Sequence, residues 1–125
     1  MPSVLLVDDS PVALRALASR LALEGFEVRE AGSLQSARSL DAPALARVGC
    51  AVIDLELADG DGTDLAQALV SRRPMLPVAF FTTGATPSLV ESARARGPVF
   101  LKPDLAPVVA WVKRALRPSQ PPPTK

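Results

Sequence analysis

Residues 4–11 read Val4-Leu5-Leu6-Val7-Asp8-Asp9-Ser10-Pro11: an apolar run, two acids, then a serine and proline suited to a helix N-cap and first turn. The run is continuous rather than alternating, as expected of a strand buried on both faces. The arrangement recurs three times. Cys50 to Ile53 is followed by Asp54, Val78 to Phe81 by Thr82, and Val99 to Leu101 by Lys102-Pro103. A weaker, alternating stretch, Phe26-Glu27-Val28-Arg29, fits an edge strand. Chemically distinct polar groups thus close four apolar runs. In an open parallel α/β sheet, ligands bind at that edge.

Segments with helical spacing lie between the runs. The first follows Ser10-Pro11, carries Leu14, Leu17 and Leu21, and stops at Gly25. Ser33 caps a short second helix through Leu40, which Pro43 breaks or restarts. Thr63 or Gly62 opens a third with Leu65, Leu69 and Val70, ended before Pro74. Pro87 begins a fourth, which stops at Gly97-Pro98. The fifth carries Leu105, Val108, Val112 and Leu116 at spacings of three and four. Strand and helix alternate five times, and right-handed crossovers then place helices on both faces of one parallel sheet. The expected fold class is α/β, a doubly wound five-stranded parallel sheet over residues 1–117. Residues 118–125, Pro-Ser-Gln-Pro-Pro-Pro-Thr-Lys, read as a Pro-rich tail or the start of a linker.

Composition narrows the function. The 125 residues suffice for one domain, and a net charge of +1 without a basic cluster gives no nucleic-acid or membrane footprint. No apolar stretch approaches the length of a membrane span, and the first nine residues lack the basic start of a signal peptide. Cys50 is the sole cysteine, which rules out an intramolecular disulfide and favours a reducing, cytoplasmic setting. It reads as a buried, inert thiol. Histidine is absent, so His-based triads and His-ligated metals are excluded, and any phosphohistidine donor lies on another molecule.

Three carboxylates converging at one sheet edge repel each other, and a hard divalent cation relieves this. Mg2+ takes one or two carboxylates together with waters and phosphate oxygens. Asp8 and Asp9 precede the first helix and can present their side chains beside Asp54, which can then attack a phosphoryl group and form an acyl phosphate. Such transfer needs charge neutralisation more than acid–base catalysis. Mg2+ and the Lys102 ammonium supply it, and the Thr82 hydroxyl can bond a phosphoryl oxygen.

With Asp8-Asp9, Asp54, Asp61-Gly62, Thr82 and Lys102-Pro103 in this order and spacing, the chain resembles a receiver domain of two-component response regulators over roughly residues 3–116. The resemblance implies a flavodoxin-like (βα)5 fold with strand order 2-1-3-4-5. It implies a regulatory phosphoacceptor rather than a metabolic enzyme, with Asp54 taking phosphate from a sensor histidine kinase or phosphotransfer protein. It implies that Asp9 ligates Mg2+ directly, Asp8 through water, and Glu56 through its backbone carbonyl. Lys102 would contact the phosphoryl group, and the peptide before Pro103 is often cis. Output would pass to a downstream effector or a C-terminal output domain outside these residues, with a homodimer possible through the fourth and fifth helices. The stretch Asp54-Leu-Glu-Leu-Ala-Asp-Gly-Asp-Gly also resembles receivers of proteobacterial redox-responsive regulators.

Some positions depart from the family. Val99 stands where receivers commonly carry Tyr or Phe, and the neighbouring Phe100 is expected on the opposite face. Thr83 replaces a small residue, Glu56 adds a charge two residues after Asp54, and Ala58 replaces a frequent proline. Asp59 and Asp61 read as turn chemistry beside Gly60 and Gly62, and Trp111 as partial core. Two other classes remain open. One is a phosphorylation-independent interaction module on the same fold. The other is a small phosphatase, which Asp54-Leu55-Glu56 faintly suggests.

Overall fold

The computed structural model describes residues 2–116, so the expected tail at 118–125 lies outside the described residues. Strand β1 (Ser3–Val7) is followed by helix α1 (Pro11–Leu23), β2 (Glu27–Ala31), and the short helices α2 (Leu34–Arg38) and α3 (Ala42–Ala46). Then come β3 (Val48–Ile53), a minute hairpin of β4 (Glu56–Leu57) and β5 (Gly60–Asp61), and α4 (Gly62–Arg72). The chain continues through β6 (Val78–Thr82), α5 (Pro87–Arg94), β7 (Val99–Leu101) and α6 (Leu105–Ala115). The main sheet runs β2-β1-β3-β6-β7 and is parallel throughout. Counting only its five strands, this is the expected order 2-1-3-4-5, with the alternating 26–29 stretch supplying the start of edge strand β2 at Glu27.

Strand residues alternate between two cores. Leu5, Val7, Ala51, Ile53, Val78 and Phe80 pack against Leu34, Leu45, Leu65 and Leu69 on one face. On the other face, Val4, Leu6, Cys50, Val52 and Phe81 meet Leu17 and Leu21 of α1 and Val108 and Val112 of α6. Each of the Val, Leu, Ile and Phe side chains contributes about 1.5–3 kcal/mol on removal from water. This two-sided burial explains why the central strands read as unbroken apolar runs. Trp111 is half-buried beside the second core, as partial core.

Local chemistry sets the boundaries. Ser10 caps α1 by accepting from the Ala13 amide, and Gly25 turns the chain out of the helix at φ +94°, a left-handed conformation that favours glycine. The helix after Ser33 ends at Arg38, short of the expected Leu40, and the chain restarts with Asp41 capping α3 and Pro43 in its first turn. Helix α4 begins at Gly62, one of the two expected starts, and Asp61 caps it. The β4–β5 hairpin was not expected, since two-residue strands leave no periodic signal. Among the described residues, no helix is long and apolar enough to cross a membrane.

Candidate functional site

The three central strands of the site deliver their terminal residues to one edge. Asp8 directly follows β1, and its amide donates to the Ala31 carbonyl at 3.1 Å. Its Oδ1 accepts from the Ser10 amide at 2.9 Å, so the start of α1 fixes the carboxylate. Asp54 directly follows β3, held by its amide's bond to the Val7 carbonyl at 2.9 Å. Both acids are buried, at 7% exposure each. Asp9 is exposed and turns its Oδ2 to accept from the Ala58 amide at 2.6 Å. Asp8, Asp9 and Asp54 each place one carboxylate oxygen within 4.8 Å of the others.

Lys102 arrives from the end of β7, its amide donating to the Thr82 carbonyl at 2.8 Å. The ammonium lies 2.6 Å from Asp8 Oδ2 and 3.1 Å from Asp54 Oδ2, bridging two of the three acids. The peptide joining Lys102 to Pro103 is cis. Burial is the largest influence on Asp8 and lifts its pKa above the usual carboxylate value, against the opposing bonds from Lys102 and the Ser10 amide. Burial also disfavours the charge on Lys102, yet the bonds to Asp8 and Asp54 outweigh it and hold the ammonium above its ordinary pKa. One cation thus serves two partly desolvated carboxylates, leaving a surplus of negative charge at the edge.

Thr82 is almost wholly buried at the end of β6, and its Oγ1 has no hydrogen-bond partner among the described residues. A buried hydroxyl without a partner costs free energy, which makes this atom a natural acceptor or donor for an incoming group. Thr83, next in sequence, is exposed and lines an apolar groove with Val12, Ala16, Phe81, Pro103 and Leu105. Glu56 is exposed, and its amide donates to Asp54 Oδ1 at 3.3 Å.

The sequence-derived residues Asp8, Asp9, Asp54, Thr82 and Lys102 therefore occupy one edge. Val99 packs into the first core and Phe100 against the second, so no aromatic stands on the Val99 side of β7. Two acids gain roles beyond generic turns. Asp59 accepts from the Leu34 and Gln35 amides, and Asp61 accepts from the amide and hydroxyl of Thr63. The Asp61-Gly62-Thr63 stretch carries a readable cap signal, whereas the partners of Asp59 lie a helix and two strands away in the chain.

With that geometry in place, residues 4–101 match the response regulator receiver domain family, and the chain belongs to it. It is 35% identical over 124 residues to the photosynthetic apparatus regulatory protein RegA of Cereibacter sphaeroides, covering 97% of this chain and 66% of that protein. It is likewise 35% identical over 118 residues to the response regulator protein PilR of Pseudomonas aeruginosa, covering 90% of this chain and 26% of the relative. The chain thus spans less than two thirds of the length of these curated relatives. Among solved structures, the non-phosphorylated HemR receiver domain of Leptospira biflexa superposes with a TM-score of 0.78 at 29% identity, covering 97% of this chain and 98% of that one. A receiver domain from Clostridium thermocellum reaches a TM-score of 0.83 at 18% identity, covering 92% and 94%, a likeness of fold.

Proposed function

We propose that this receiver is a Mg2+-dependent phosphoacceptor switch with Asp54 as the acceptor. The observation carrying the reading is the cluster itself: three carboxylate oxygens within 4.8 Å, a bridging ammonium, and an unpartnered buried hydroxyl. All three acids are hard oxygen donors of the kind Mg2+ takes, and Lys102 balances only part of their charge. Asp8, Asp9 and Asp54 are the side chains that would hold the ion, with the Glu56 backbone carbonyl as a further ligand. When bound, the ion neutralises charge that builds on the phosphoryl oxygens.

A carboxylate oxygen of Asp54 attacks the phosphorus of a donor, forming the acyl phosphate P–O bond as the donor's P–N bond breaks. The departing imidazole belongs to a sensor histidine kinase or phosphotransfer protein, since this chain has no histidine. Lys102 stays beside the transferred group and gives up one of its two carboxylate contacts to a phosphoryl oxygen. Thr82 Oγ1 then gains the partner it lacks and donates to another. The role is regulatory: phosphorylation biases two arrangements of the domain rather than turning over a metabolite.

This reading takes residues 1–117 as the receiver unit and 118–125 as a tail or linker, a boundary that lies outside the described residues, and its setting as cytoplasmic. Output passes to an effector or to a C-terminal output domain, and a homodimer would form through α5 and α6. One observation favours a second reading, an interaction module independent of phosphate. With Val99 in the first core, β7 presents no aromatic on that face to carry a movement of Thr82 outward. Intact-protein mass after incubation with acetyl phosphate and Mg2+ separates the two. The switch requires a phosphate-sized gain, abolished by EDTA and by Asp54→Asn. A folded, Mg2+-binding protein that gains nothing from acetyl phosphate or any kinase supports the module.

A further inference from the structure

Hydrogen bonds lead from the acidic cluster through the following loop to helix α2. The Glu56 amide donates to Asp54 Oδ1 at 3.3 Å and the Ala58 amide to Asp9 Oδ2 at 2.6 Å. One residue on, Asp59 reverses the direction: its Oδ1 accepts from the Leu34 amide at 2.9 Å and its Oδ2 from the Gln35 amide at 3.0 Å. The next amide of α2, Ser36, is taken by the helix's own cap, Ser33 Oγ, at 3.0 Å. Leu34 closes the joint from below, since a Cβ added at Gly60 would lie 2.6 Å from Leu34 Cδ1. Helix α2 has five residues, too few to persist without outside support, and it draws that support from the loop that also grips Asp9 and Asp54.

We propose that Asp59 is a positioning residue for the cation site, fastening the acceptor loop to α2 so that the loop amides hold Asp9 and Asp54 in their clustered arrangement. Asp59 is exposed, and its carboxylate bonds the Leu34 and Gln35 amides rather than a residue of the cluster. The inference rests on the Mg2+ reading above. Linkage makes it reciprocal: if α2 steadies the cluster through Asp59, loading the cluster steadies α2 by the same factor. The two amides also hold the Asp59 carboxyl below its usual pKa, in keeping with a charged clamp at neutral pH.

The test is Mg2+ titration by calorimetry on the parent, Asp59→Ala, Asp59→Asn and Asp41→Ala, each first checked for folding by circular dichroism. Asp41 is an exposed helix cap like Asp59, but it serves α3 and has no link to the loop. Asp59→Ala is expected to weaken Mg2+ binding about fivefold or more. Asp59→Asn keeps an accepting oxygen without the charge and should fall between it and the parent. Asp41→Ala should match the parent. Amide exchange at Leu34 and Gln35 should slow on Mg2+ addition in the parent and not in Asp59→Ala. Equal Mg2+ affinity in the parent and Asp59→Ala overturns the inference and leaves the Mg2+ site standing. Weaker Mg2+ binding in Asp59→Ala with amide exchange at Leu34 and Gln35 still slowed by Mg2+ as in the parent assigns the effect to charge and overturns positioning. A parent that binds no Mg2+ removes the cation reading and this inference together.

Discussion

Lys102 lies against two acids at once, and removing it leaves Asp8 and Asp54 facing each other in a site that excludes most water. Lys102→Ala should therefore lose about 1–3 kcal/mol in urea denaturation without divalent cation. The deficit should shrink when Mg2+ is added; a deficit that Mg2+ leaves untouched would mean the cation does not share the Lys102 carboxylates. Cys50 gives a cleaner titration, because the chain has no tyrosine to ionise nearby in pH. Burial pushes its thiol from 9.0 up to about 12. Above pH 9 the unfolded chain loses that proton while the native one keeps it, so stability falls as pH rises from 9 toward 12, by up to about 1.4 kcal/mol per pH unit. Equilibrium unfolding of Cys50→Ala should show a flatter slope between pH 9 and 10 than the parent. Asp8, Asp54, Thr82 and Lys102 were legible in the sequence for one reason: each closes an apolar run, and run ends share a sheet edge. Asp59 was not, because its hydrogen-bond partners precede it by 24 and 25 residues and no local pattern joins them.

At the level of elements, the strands were readable because burial on both faces makes them uniformly apolar, and the long helices because Leu and Val recur at three and four. The region between Ser33 and Val48 was harder, since five-residue helices complete little more than one turn and owe their limits to caps. The loop after Asp54 was hardest. Its β4–β5 hairpin exists because Gly62 can approach closely: its amide donates to the Leu55 carbonyl at 2.9 Å, and a Cβ there would collide with the Asp54 carbonyl oxygen. Gly62→Ala must push the hairpin off β3 and should cost about 1–3 kcal/mol while also weakening Mg2+ binding. Thermal melts with and without Mg2+ would show both effects. A fully stable Gly62→Ala with unaltered Mg2+ response would contradict this account of the loop. The opposed packing of Val99 and Phe100 follows from strand alternation, and the sequence already carried that information.

For the whole molecule, fold and site are two consequences of one topology. Parallel strands in the order β2-β1-β3-β6-β7 bring residues 8, 54, 82 and 102 together although they are spread over most of the chain. Because only the folded state assembles the acidic cluster, Mg2+ should stabilise the whole domain, by about 2.7 kcal/mol at a concentration one hundred times its dissociation constant. Asp9→Ala should remove most of that gain in urea titrations; an undiminished gain would place the ion elsewhere. The measurement that bears most directly on the acceptor role is chemical trapping. The protein is incubated with acetyl phosphate and Mg2+, reduced with borohydride, digested and sequenced by mass spectrometry. An acyl phosphate is reduced to the alcohol, so the account predicts homoserine at position 54 and nowhere else among the aspartates. Reduction at a different acid, or at none in a protein shown to carry phosphate, would contradict it.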